Sequence, residues 1–206
     1  MNAVYEKSGD VLKPLLISKC NAYWFIIISL CLWLILSSVA ATLTIAIAGN
    51  RTEQIKAAFI LNIARFTQWP DTVFASINAP IKLCLFGDDY LGDALDSIRS
   101  KGIGKRKLDI QIVSTVTKDC HILFISHEQM TWFDEQIGTL KRIGLLIIGD
   151  HTDTSILEYT PLGEVVSLIR DGNRITFEID LDAAKAANLQ LSSELLKLGR
   201  VVRGKR

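Results

Sequence analysis

Apolar positions recur along this chain in two rhythms, one of about 3.6 residues and one of two, and the alternation predicts its elements. A helix opens at Thr52, with Glu53 in its first turn and Ile55, Ala58, Phe59, Ile63 and Phe66 on one stripe. It stops at Trp69-Pro70-Asp71, because proline disfavours helix in the residue before it. Ile81–Phe86 reads as a mostly buried strand and Gly87-Asp88-Asp89 as a turn. Leu91, Leu95 and Ile98 then form an amphipathic helix that ends at Gly102 and Gly104. Leu108–Val113 is a second strand, with Leu108, Ile110 and Ile112 on one face, and Ile122–Ile125 is a third. Ser126 and Gln129 stand in a capping-box arrangement at the start of a helix that reaches about Leu140. Ile143–Ile148 is a fourth strand, and a short helix follows over Asp153–Tyr159. Glu164–Arg170 and Arg174–Ile179 flank Asp171-Gly172-Asn173, a hairpin signal. Asp180 or Asp182 caps a last helix through Ala183, Ala187, Leu195 and Leu198, with a bend at Asn188. This order predicts an α/β fold: a mixed, partly parallel sheet of about six strands flanked by helices, with a C-terminal β-hairpin and helix.

The first part of the chain follows neither rhythm. Ala22 to Ala48 carry no charged side chain, and Lys7, Lys13 and Lys19 outnumber Glu6 and Asp10 before them. Such a run is long enough to cross a bilayer, and the basic flank keeps the N-terminus in the cytoplasm. Two readings fit. The run is a signal peptide, with small-x-small pairs at Ser38/Ala40 and Ala46/Ala48, or it remains as a membrane anchor. In both, residues 1–48 deliver residues 49–206, a single α/β domain, to the periplasm. Within the chain of 206 residues, the part after Ala48 has balanced positive and negative side chains. That argues against nucleic acid as a partner. The four cations of Arg200–Arg206 read as a solvated tail.

Cys20 and Cys31 lie in or beside the apolar run, which leaves Cys84 and Cys120 for the exported domain. An even pair in an oxidising compartment suggests one disulfide, and two buried thiols are the other reading. Their separation is too long for a CxxC redox motif. Gly87 and Asp88 follow a buried strand and precede a helix, the place where α/β folds bind ligands. They are not a phosphate loop, since GxGxxG and a P-loop lysine are lacking. His121, His127 and His151 show no zinc-ligand spacing, and no serine stands in a GxSxG context. No metal site and no cofactor is therefore expected. A nucleophilic Cys120 with a histidine base would need Cys120 unpaired. In the C-terminal hairpin, Ile175, Phe177 and Ile179 alternate with Thr176, Glu178 and Asp180, which reads as a plain half-solvated strand or as an exposed acidic face open to a partner.

Five segments in order carry a resemblance: Ala57–Phe66 running into Trp69-Pro70, Leu83–Asp88, Cys120–Ile125, Asp171–Ile179 and Leu191–Leu198. Together they resemble the YfiR-like family of periplasmic proteins over residues 53–198. The resemblance implies a role without catalysis, the repression of an inner-membrane diguanylate cyclase of the YfiN type through its periplasmic sensor domain. It implies control of cyclic di-GMP and biofilm formation, and extends to a homodimer. It implies a Cys84–Cys120 disulfide and a partner-binding region around Ile175, Phe177, Glu178 and Asp180. A second disulfide of the family has no counterpart here, because the exported part holds no other cysteine. The competing expectation is a periplasmic small-ligand receptor that uses Gly87 and Asp88.

Overall fold

The structure is a computed structural model that describes residues 27–33, 51–88, 90–153 and 163–202. Met1–Gly49 and Asn50–Arg206 are separate units. In the first, residues 27–33 are helical, and no helix among the described residues is long and apolar enough to cross a membrane. The cleavage pairs, Asp89, most of the expected helix over Asp153–Tyr159 and Arg203–Arg206 lie outside the described residues.

The second unit opens with helix α1, residues 51–65. Strand β1 (Thr67–Gln68) follows, then β2 (Ile81–Phe86), helix α2 (Asp96–Arg99), β3 (Leu108–Val113) and β4 (Ile122–Ile125). Next come α3 (Met130–Leu140), β5 (Leu146–His151), β6 (Val166–Asp171) and β7 (Arg174–Asp180). The chain closes through α4 (Leu181–Ala186), β8 (Gln190–Leu191), α5 (Ser193–Leu198) and β9 (Arg200–Val202). Among the described residues, seven strands form one sheet in the order β3-β2-β4-β5-β6-β7-β9, and β1 pairs with β8 in a small ribbon. Only β6 and β7 are antiparallel neighbours in the large sheet. The fold is thus α/β with a mixed, mostly parallel sheet.

Leu83–Phe86 of β2, all of β4 and Leu146–Ile148 of β5 are continuous apolar runs because both faces of the sheet are covered there. Leu83, Leu85, Ile122, Phe124, Leu146 and Ile148 pack on one face with α1, α2, α4 and α5. Leu123, Ile125, Ile147 and Phe86 pack on the other with Phe133 of α3. The connections leaving neighbouring strands β2 and β4 therefore run to opposite faces, which makes their carboxyl ends a topological switch point.

The structure departs from the expected pattern in several places. The buried stripe of α1 is Ala57, Ile60, Leu61 and Ala64 with Ile63, whereas Ile55 is exposed. Lys56 is buried beside that stripe; of the expected positions Ile63 is in the core and Phe59 and Phe66 pack against it, so the pattern selects a face that is partly displaced from the buried one. Strand β5 begins at Leu146, because Gly144 takes a positive φ of 76° and its N–H bonds Ala187 O at 2.8 Å. The expected helix around Leu95 is a 3-10 turn plus one α-helical turn. The last helix is two, α4 and α5, split by Asn188 at φ 53° and by β8. Asp180 caps α4, accepting from the N–H groups of Asp182 and Ala183. Ser192 caps α5. Strand β9 is a further element with no sequence signal of its own.

Candidate functional site

Three places hold the residues that the sequence singles out, and the carboxyl ends of the parallel strands are the richest. Beyond β2, Gly87 takes a φ of 91° and donates its N–H to Val113 O at 3.0 Å. Asp88 is exposed, and its Oδ2 lies 3.4 Å from the Tyr90 hydroxyl. Beyond β4, Ser126 is buried, yet its hydroxyl makes no cap bond and has no hydrogen-bond partner among the described residues. The expected capping box is not formed: Gln129 instead lies over Gly87 and donates from Nε2 toward the Tyr90 hydroxyl at 3.4 Å.

Beyond Ile148, β5 continues as Gly149-Asp150-His151, and the polar residues there are buried. Lys56 of α1 places Nζ 2.8 Å from Asp150 Oδ2 and 3.3 Å from Glu53 Oε1. Burial alone would lower the Lys56 pKa, but the two carboxylates outweigh it and hold the ammonium above its ordinary value. Burial raises the pKa of Glu53 in spite of Lys56. Asp150 Oδ1 accepts from the Thr152 N–H at 3.0 Å and from its hydroxyl at 2.7 Å, closing the turn after β5. On the other face of the strand, Glu164 Oε1 accepts from His151 Nε2 at 2.7 Å and from the Ser167 hydroxyl at 2.8 Å. Burial would raise the Glu164 pKa, and these bonds with the histidine outweigh it, so the carboxyl stays below its ordinary value. Ser167 donates to a carboxylate, not to an imidazole, so this is not the geometry of an activated nucleophile. Lys56, Asp150, Glu164 and Ser167 were not singled out by the sequence. The available signal was Asp150-His151-Thr152, an Asx-turn pattern directly after a buried run.

At the opposite end, Cys84 of β2 and Cys120 before β4 are joined by a disulfide, with Cα atoms 5.9 Å apart. Arg142 donates to Cys120 O at 3.1 and 2.9 Å and to Thr117 O at 2.7 Å, which fixes the turn that carries Cys120. Lys82 and Asp119 form an ion pair beside it, and the hydrogen bond from Lys82 holds the Asp119 carboxyl down at about 2. His121 is buried, accepts the Lys82 N–H at Nδ1 (3.1 Å), and stacks on Phe74 at 4.8 Å. Burial pushes its pKa below the ordinary value. It is a neutral part of the packing, and Cys120, being bonded, offers no thiolate. Among the described residues, no group of three or more His, Cys, Asp or Glu side chains could hold a metal ion.

The C-terminal hairpin does not present the expected exposed acidic face. Phe177, Glu178 and Asp180 are buried and Ile175 is half-buried. Phe177 packs in the core against Phe59 of α1, and β9 covers the edge that the sequence left open. Glu178 pairs with Arg200 of β9, and Asp180 is occupied as the cap of α4. The exposed groups at this edge are Arg200, Leu198 and Val201.

A family model described as YfiR/HmsC-like matches residues 53–200. No curated protein matches the chain.

Proposed function

Since the chain belongs to the YfiR/HmsC-like family, we propose that it is a periplasmic regulatory protein that represses an inner-membrane diguanylate cyclase by binding its periplasmic sensor domain. Releasing the cyclase raises cyclic di-GMP and favours biofilm. The observation that carries this reading is the extent of the family match, residues 53–200, which takes in the whole sheet except the last residues of β9. A structural disulfide at Cys84–Cys120 supports an oxidising compartment, and the uncharged run Ala22–Ala48 supports export or tethering. In this reading the protein acts by occupancy and not by turnover. Glu178 contributes from beneath the surface: it holds Arg200 on β9, while Arg200, Val201 and Leu198 are what a partner meets.

The test is retention of solubilised inner-membrane proteins on the immobilised full chain, read by mass spectrometry. The expected outcome is enrichment of a membrane diguanylate cyclase, reduced when Arg200→Glu replaces the native chain. A well-folded chain that retains no cyclase sinks the proposal.

A further inference from the structure

The amino-terminal rim of the large sheet carries an inference that does not depend on the partner reading. Two loops meet there: residues 69–80, which lead into β2, and residues 100–107, which lead into β3. Ile81 and Leu108 are the first paired residues of these strands, and the Ile81 N–H bonds Lys107 O at 2.9 Å. Arg106 joins the loops. It donates from Nη1 to Ser76 O at 2.9 Å and to Ala79 O at 2.8 Å, and its guanidinium lies 3.7 Å over the Phe74 ring. Ile103 and Arg106 exchange backbone hydrogen bonds around Gly104, and Ile103 is buried. Arg65, the last residue of α1, donates to Gly102 O at 3.4 Å. The two loops are thus fastened to each other and to the body of the domain.

The exposed side chains of this rim are of two kinds. From Arg99 to Lys107 the chain holds five cations and no acidic residue. Lys101, Lys105 and Lys107 are exposed and form no ion pair among the described residues, whereas Arg99 is answered by Asp96 at 3.4 Å. Asp109, the next acidic residue along β3, accepts from Gln111 at 2.9 Å. The other loop is uncharged from Thr72 to Ile81. It carries Ile77, 79% exposed, directly after the Ser76 carbonyl that Arg106 holds.

A lone exposed isoleucine is ordinary. One fixed beside unpaired lysines suits an anionic bilayer: the ammonium groups meet lipid phosphates, and the apolar side chain enters the boundary between headgroups and acyl chains. Neither part suffices alone, because one side chain buries little area and exposed charges are screened by salt. A soluble anion would leave Ile77 in water. An acidic protein face would answer the lysines but would need a shaped apolar pocket for Ile77, which a bilayer does not.

We infer that this rim, Ile77 together with Lys101, Lys105 and Lys107, docks the domain on an anionic phospholipid surface.

The experiment places the full chain on lipid nanodiscs of phosphatidylcholine alone or mixed with phosphatidylglycerol, each containing a headgroup-spin-labelled lipid. Paramagnetic broadening is read amide by amide. Every arm carries the same apolar run Ala22–Ala48, so its contribution to disc binding is common to all and the reading is local. The amides of Ala75–Asn78 and of Lys101–Lys107 are expected to broaden at least several-fold more with phosphatidylglycerol than without it, and those of Asp134 and Glu135 on α3 are not. Raising the salt to about 1 M, where charges are screened beyond roughly 3 Å, should remove most of the difference. The double variant Lys105→Glu, Lys107→Glu should abolish it, and Ile77→Ser should weaken it, both with the native melting temperature because the three positions are exposed. The inference is overturned if the rim amides broaden equally on both discs, or not at all, or equally in the double variant. It is also overturned if the double variant loses retention of an inner-membrane protein while lipid charge leaves the rim amides unchanged, because the rim would then serve a protein partner.

Discussion

At the scale of single residues, buried charge explains both the order of the carboxyl-terminal end and the limits of pattern reading. Lys56 is 6% exposed and neutralised by Asp150 and Glu53. Lys56→Ala would leave Asp150 buried without its counter-ion, and loss of one member of a buried pair costs about 3–5 kcal/mol. A fall of that size in urea-unfolding free energy is expected, larger than for Lys185→Ala on α4. His121 gives a pH signature. Its folded pKa is depressed, so between that value and the ordinary 6.5 the unfolded chain binds more protons. Its contribution is therefore complete above about 6.5 and is lost as pH falls toward the folded value. Unfolding midpoints at neutral and mildly acidic pH should differ more for the native chain than for His121→Asn; equal differences would count against this role. Neither residue was legible as it stands. A lysine next to Ala57 reads as solvated, and its acceptor, Asp150, is supplied by a strand far along the chain.

At the scale of elements, local signals sufficed where both faces of a strand are buried and glycine or aspartate marks its end. Ile81–Phe86 and Ile122–Ile125 have the expected bounds, and so does Leu108–Val113, an edge strand whose Ile112 is exposed. Signals failed where tertiary contacts decide. Ile143 looks like strand but is 59% exposed in a turn, while Asp150 and His151 look like turn but lie in β5. The turn that ends β2 was legible from Gly87-Asp88. The cap role of Asp180 was legible as well, but the pairing of Glu178 was not, because β9 is three residues long and is recognisable only by its pairing with β7. Gly199 is the joint of that pairing. An added Cβ would come within 2.4 Å of the Phe177 ring, and Phe177 is buried against Phe59 of α1. Gly199→Ala should lower stability by about 1–3 kcal/mol through overpacking. It should also speed amide exchange along Arg200–Val202, which native-state hydrogen exchange reads directly.

At the scale of the whole molecule, the disulfide is the covalent link across the sheet. It closes a separation of 36 residues, worth on the order of 3–4 kcal/mol in a chain-entropy model. Cys84→Ser should lower the unfolding free energy by about that amount while the far-ultraviolet circular dichroism of the folded chain stays the same. The partner face is a property of this same scale: it depends on a late edge strand and on a family relationship, and composition alone carried no trace of it.

The adjacency of β2 and β4 has one more consequence, for how the chain reaches this state. The two strands pair although β3 lies between them in sequence, so the polypeptide must travel out to the edge and return before that rung can zip. Such non-local pairing is slow, because the entropy of closing the excursion is lost before the contact rewards it. The Cys84–Cys120 bond spans this very excursion. An oxidised chain begins each refolding attempt with the detour already closed, whereas a reduced one must find it by search, exposed meanwhile to aggregation and proteolysis.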